Sequence, residues 1–317
     1  MERYYSIENL RKQGKYAYKN AYCFPVMSFL SQFVDSYELN ILIEKFEEMS
    51  KKEIFDFLGI SESEYETILK YFLLKSISKG VAWFGILALD VFVAKRVFDE
   101  LNLSGVIYLR AKDIDDLDDA LKIFKKGEIQ LGLSVDPYFS GDDLSSKISL
   151  LAGQHKLPVV LTMFDDLDKT GMINSIFNVL PVNYIENLGF LDRNCSIYGG
   201  VCADKEDFNL LASYGTKMIV SPYESMNFGR GSPNVYAMLN SGLDVSLCAS
   251  TGFDIEREIE MTSVLGRGNL SDAQILPIDE VLEIAISKEA RKEFDKKELE
   301  EYEKQTTEIW KKIKEKI

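Results

Sequence analysis

The chain contains a single histidine, His155, among its 317 residues. Arithmetic therefore excludes a zinc centre built on several imidazoles, and it excludes a serine–histidine nucleophile unless His155 is the base. No run of 18 or more apolar residues occurs, so no segment reads as a membrane-spanning helix. The opening MERYYSIENLRKQGK has no apolar stretch behind its charges. The expectation is a chain without a secretory leader, resident in the cytoplasm. Cysteine is scarce: Cys23, Cys195, Cys202 and Cys248 lie far apart in a chain that is 46% hydrophobic. Such spacing suits free thiols in a reducing compartment better than a disulfide framework. Basic residues are outnumbered, with 37 Lys and Arg against 51 Asp and Glu and a net charge of −14. Nucleic acid and anionic membrane would both be repelled, and neither is expected as a partner.

What is present is a regular alternation. Short β-branched or apolar runs recur at 18–24, 80–86, 105–109, 129–134, 158–163, 195–199, 217–221 and 244–249, punctuated by glycine and proline. Between them lie stretches of helical period, such as 88–101, where Leu89, Phe92, Val93, Val97 and Phe98 share a stripe. A long helical region is expected over 38–79. Strands alternating with helices imply βαβ units and a parallel sheet. Eight such units in about 250 residues match a (β/α)8 TIM barrel, with a doubly wound open sheet as the alternative. The domain division expected is a barrel over 1–287 and an amphipathic helix over 288–317. In that tail Ala290, Phe294, Tyr302, Ile309, Ile313 and Ile317 recur near multiples of four, as on a helix packed against the barrel.

The second half carries specific motifs. GQHKLPVVLTMFDD is followed by NYIENLGFLDRNCSIYGGVCADKEDF, then SPYESMNFGRGSPNV, then DVSLCASTG. In order and spacing these resemble the metal-dependent amidohydrolase superfamily, in particular its branch of cytosine, S-adenosylhomocysteine and triazine deaminases and chlorohydrolases. NAYCFPVMSFL and SVDPYF extend the resemblance into the first half, so that it covers roughly 17–287. It implies a barrel whose family members bind a metal that activates water. Each position it assigns to a metal ligand is substituted here. The paired first-strand histidines fall on Tyr22 and Phe24, or on Ala21 and Cys23 if the gap is placed one residue earlier. The fifth-strand and sixth-strand histidines fall on Thr162 and Gly199, the closing aspartate on Ser250, and a substrate histidine on Val135. The family's acid/base glutamate alone keeps its chemistry, as Asp165. The expectation is an amidohydrolase-like barrel without the flanking β-sandwich, with no metal and no cofactor.

Strand C-termini converge on one mouth of a barrel, and ligands bind there. Tyr22, Cys23, Phe24, Asp136, Tyr138, Thr162, Cys202, Glu224 and Ser250 are the candidate ligand-binding residues at that mouth, with Asp165 the candidate catalytic group. Cys23, Cys202 and Cys248 fit buried packing, with a thiol nucleophile or a thiolate metal site as alternatives. His155 falls on the opposite face. Phe228-Gly229-Arg230-Gly231 reads as inherited loop shape, and the acidic run 113–119 as a solvated helix start. The function expected is a non-catalytic pseudoenzyme that binds a small molecule or scaffolds a catalytic amidohydrolase paralogue. A metal-independent hydrolase or lyase with Asp165 as acid/base is the alternative, and a homo-oligomer is left open.

Overall fold

In a computed structural model the described residues are 17–124, 127–177, 179–287 and 294–317. Eight parallel strands run in sequence order: β1 (Tyr18–Cys23), β2 (Val81–Leu87), β3 (Ser104–Arg110), β4 (Ile129–Val135), β5 (Val159–Met163), β6 (Cys195–Gly199), β7 (Lys217–Val220) and β8 (Asp244–Leu247). Each pairs with the next. Helices intervene between them, giving a nearly closed (β/α)8 barrel. β3 is buried along its whole length, as expected of a parallel strand covered on both faces.

The seam between β8 and β1 is closed largely by side chains. The Asn20 amide donates to the Ala249 carbonyl (3.3 Å) and accepts from its N–H (3.0 Å), imitating a ladder rung. Phe24 N donates to the Ser250 carbonyl at 2.8 Å. At the other end of β1, residues 285–287 take the free edge: Lys19 N donates to the Ala285 carbonyl and Ser287 N to that of Ala17.

Between β1 and β2 lie α1 (Pro25–Leu30), α2 (Ser36–Glu48), α3 (Lys51–Leu58) and α4 (Glu62–Ser78). The helical stretch read over 38–79 is thus three helices. Capping boxes at Ser50–Glu53 and Ser61–Glu64 divide it, with Gly59 at φ +64° ending α3. The later helices are α5 (Val91–Glu100), α6 (Leu117–Ile123), α7 (Pro137–His155), α8 (Leu167–Phe177), α9 (Pro181–Asn187), α10 (Lys205–Tyr214), α11 (Pro222–Asn227), α12 (Val235–Asn240), α13 (Ile255–Leu270), α14 (Ile278–Glu283) and α15 (Lys296–Ile313). The stripe read from residue 88 becomes helical only at Val91, because Asp90 caps the N–H groups of Phe92 and Val93.

α15 lies along α4. Ile309 and Ile313 are buried, Trp310 stacks on Phe33 at 4.5 Å, and Lys312 pairs with Glu64. Ala290 of the tail stripe lies outside the described residues. The acidic run 113–119 is not simply solvated. Asp113 is buried beside Arg110 and accepts from Lys51 N at 2.7 Å, while Asp116 binds the Lys51 ammonium.

Candidate functional site

The barrel interior below the mouth is filled by phenols. Tyr22 of β1 packs against Tyr108 of β3 (5.7 Å between centroids, edge-on) and Tyr198 of β6 (5.2 Å). Gly132 of β4 makes this possible: a Cβ there would stand 2.6 Å from the Tyr108 ring. The Tyr22 hydroxyl meets Ser134 Oγ at 2.9 Å and that of Tyr198 meets Ser250 Oγ at 2.8 Å. Burial pushes all three phenols well above their ordinary range, so they stay neutral.

Above the phenols, α2 forms a roof. Buried Arg110, at the end of β3, donates to the carbonyls of Phe46 and Met49. A fixed cation there satisfies the open C-terminal end of α2. Asn40 accepts from Arg230 on the opposite side of the mouth. What remains under this roof is a cavity of roughly 50 Å³, lined among others by Tyr22, Phe24, Glu47, Thr162, Tyr198 and Ser250. That volume suits a few water molecules, not a heterocycle.

Two kinds of carboxyl surround this space. On one wall Asp165 pairs with Arg230 at 3.0 Å, and Asp136 lies 3.8 Å from Lys169. Burial pushes Asp136 up to about 8 despite the opposing Lys169, with Glu47 and Asp165 adding to the rise. Burial likewise raises Glu47, against Arg110 and Lys169. At neutral pH the wall thus holds a proton as well as charges.

On the other wall Glu224 is held by neutral donors. It accepts from Ser250 N (2.9 Å), Ser250 Oγ (2.7 Å), Thr251 N (2.6 Å) and the Thr251 hydroxyl. Ser221 Oγ lies 2.8 Å from both Glu224 and Glu258. One hydroxyl carries one proton, so both contacts are hydrogen bonds only if a carboxyl supplies the second. Glu258 is that carboxyl: burial and the neighbouring Glu224 push it up to about 8. The chain runs from Glu258 through Ser221 to Glu224, whose carboxyl is also raised by burial, against the pull of the Ser250, Ser221 and Thr251 donors.

The predicted site residues therefore separate. Tyr22, Phe24, Asp136, Thr162, Asp165 and Ser250 line the mouth cavity, and Glu224 stands behind Ser250. Three do not line it. Tyr138 points outward to Met172. Cys23 is enclosed and donates to the Gly85 carbonyl. Cys202, half-buried, lies beyond Phe164, whose carbonyl its N–H meets. Burial raises the Cys23, Cys248 and Cys202 thiols, which opposes a thiolate nucleophile or ligand. His155 is exposed at the end of α7. Glu47, Lys169 and Tyr198 join the site without having been singled out, and Arg230, read only as part of an inherited loop shape, joins them. Its place between two glycines was the one local signal among the four.

The fold matches solved structures of one kind. A zinc-bound adenosine deaminase from Xanthomonas campestris superposes with TM-score 0.77 at 13% identity, covering 85% of this chain and 65% of that one. A zinc complex of atrazine chlorohydrolase from Arthrobacter aurescens gives 0.71 at 12%, covering 85% and 69%. By sequence, a 5-methylthioadenosine/S-adenosylhomocysteine deaminase of Bacillus cytotoxicus is 25% identical over 154 residues, 47% of this chain and 35% of the relative. A protein of the same description from Thermococcus onnurineus is 23% identical over 160 residues, covering 49% and 38%.

The chain resembles the amidohydrolase superfamily in sequence over about half its length and in fold over most of it. Its matches span little more than a third of the length of these curated relatives, and no family model matches it. The positions that this resemblance assigns to the family's metal ligands hold Tyr22 and Phe24, or Ala21 and Cys23, together with Thr162, Gly199 and Ser250. Among the described residues, no group of three His, Cys, Asp or Glu is arranged to hold a metal.

Proposed function

We propose that this protein keeps the amidohydrolase barrel but not the metal-assisted hydrolysis of its relatives, and that it acts by binding. In this reading it is a non-catalytic pseudoenzyme that holds a small molecule or scaffolds a catalytic amidohydrolase subunit. The observation that carries the reading is the Tyr198–Ser250–Glu224 chain of hydrogen bonds. Ser250 stands where the family's closing aspartate would be, and its hydroxyl is already committed to Tyr198 and Glu224. The donor set at the other ligand positions is equally unsuited to a catalytic divalent ion: a neutral phenol, a phenyl ring, a threonine and a glycine. The rings of Tyr22 and Tyr198 fill the space between them.

One observation favours a second reading, a metal-independent hydrolase or lyase. The proton that Asp136 keeps to about pH 8, beside Lys169, is the kind of perturbed group that acid–base catalysis uses. Asp165, tied to Arg230, is less suited to the acid/base role expected of it.

The test is ammonia release from 5′-methylthioadenosine, S-adenosylhomocysteine, adenosine and aminated triazines, with and without added zinc. The proposal expects no turnover in either condition. Zinc-dependent turnover overturns it. Turnover that is independent of metal and lost in Asp136→Asn establishes the second reading.

A further inference from the structure

The largest opening near the mouth is not the mouth itself. On the far side of the Glu224 and Thr251 wall lies a cleft of roughly 340 Å³, between the α1–α2 connection, the end of α4, the loop after β8 and the start of α13. It is several times larger than the cavity under α2, and three cations reach it: Lys75, Lys79 and Arg257.

The setting of those cations is informative. In a chain with an excess of acids, a basic side chain at a cleft can find a carboxylate. Lys79 does so, with Asp254 at 3.2 Å. Lys75 and Arg257 have no ion-pair partner among the described residues. Lys75 lies over the rings of Tyr71 and Phe253 and donates to the Tyr71 hydroxyl at 2.5 Å and to the Gln32 side-chain oxygen at 2.9 Å. Arg257 lies over the ring of Tyr223 at 4.7 Å. Aromatic faces hold a cation in place without neutralising it. The acid that acts on Lys75 is Glu303 of α15, through space, while burial lowers the ammonium's pKa.

The floor of the cleft does not cancel this charge. Glu258 carries a proton, and the lone pairs of Glu224 are taken by Ser221, Ser250 and Thr251. The three cations therefore face Asp254, already paired with Lys79, and Glu224, whose oxygens are engaged, with Glu303 acting on Lys75 only through space; the charged heads border apolar surface from Val34, Leu39 and Phe253.

We infer that this cleft binds a small organic anion, a carboxylate or a phosphate ester on an apolar body, between Lys75 and Arg257. An oxyanion there would supply the contact ion pair that neither cation makes, and would gain charge-assisted hydrogen bonds from both. The site is separate from the mouth and does not depend on how the mouth is read.

The experiment is calorimetric titration of the full chain with phenyl phosphate, benzoate and, as the neutral control, benzyl alcohol, in low-salt buffer free of phosphate. At least one anion binds in the millimolar range or tighter, and benzyl alcohol does not. Which anion binds more tightly tells phosphate ester from carboxylate. Arg257→Gln and Lys75→Met each weaken binding about tenfold or more, the loss expected for one charged contact. Lys122→Gln, which removes an exposed lysine elsewhere, leaves it unchanged. Arg257 is itself exposed, so its substitution does not threaten the fold. No binding of either anion, equal binding of benzyl alcohol, or affinity indifferent to both substitutions would overturn the inference.

Discussion

The two walls of the mouth solve the same problem differently. Each must bury carboxyl groups in a space that excludes most water. On the Glu224 wall the solution is neutral: backbone N–H groups and hydroxyls converge on one carboxylate, and a second carboxyl keeps its proton. On the Asp165 wall the solution uses cations: Arg230 pairs with Asp165, and Lys169 lies beside Asp136, which burial still pushes up to about 8. Neutral donors fixed by the backbone have no freedom to serve a ligand, so that wall reads as structure. Long cationic side chains can exchange one anion for another, so whatever responsiveness the mouth has resides on the ionic wall.

The difference predicts unequal costs. Glu224→Ala strands the donors that converge on it and should be the most damaging single change, at about 3–5 kcal/mol in chemical denaturation. A loss under about 1 kcal/mol would mean that water replaces the carboxylate freely and that the wall is not a fixed network. Arg230→Met leaves the buried Asp165 without its partner, but on a cavity that Lys169 also lines and that can admit water, and should cost less, about 1–3 kcal/mol. An Arg230 variant more damaging than the Glu224 variant would invert the comparison.

The pH dependence follows from the raised carboxyls. Asp136 and Glu258 have ordinary values of 3.8 and 4.5 and folded values near 8. Between those limits the folded chain holds protons that the unfolded chain has released, so stability falls as pH rises, by at most about 1.4 kcal/mol per pH unit for each group. Below the ordinary carboxylate range neither group contributes a slope, and above about 8 the loss is complete. Melting temperature should therefore decline from about pH 5 to about pH 8. Glu258→Gln and Asp136→Asn should each flatten part of that decline. A melting temperature that rises over this window would contradict the proton assignments.

The smallest effect expected is at the tyrosines. Tyr22→Phe keeps the ring contacts and removes one hydroxyl hydrogen bond to Ser134, at about 1 kcal/mol.

Much of this was legible before any coordinates. The strands are short apolar runs set off by glycine and proline, and the eight of them are where such runs fall. Tyr22, Phe24, Thr162 and Ser250 were placed at the mouth by the family resemblance. The ambiguity between Tyr22–Phe24 and Ala21–Cys23 has a physical origin: the register of β1 on β2 shifts between Asn20 and Cys23, so simple alternation fails there. The roof was not legible, because nothing in the period of α2 announces that its Asn40 will meet Arg230 across 190 residues of sequence. Nor could composition reveal that Glu224 and Glu258, 34 residues apart, share Ser221.

The central claim is that the family's metal position has become a hydrogen-bonded part of the barrel core. Elemental analysis of the purified chain, after exposure to excess zinc and removal of unbound ion, tests it most directly. The account predicts zinc far below one equivalent, with melting temperature unchanged by the ion. About one tightly held zinc per chain, lost in Asp136→Asn or Asp165→Asn, would contradict it.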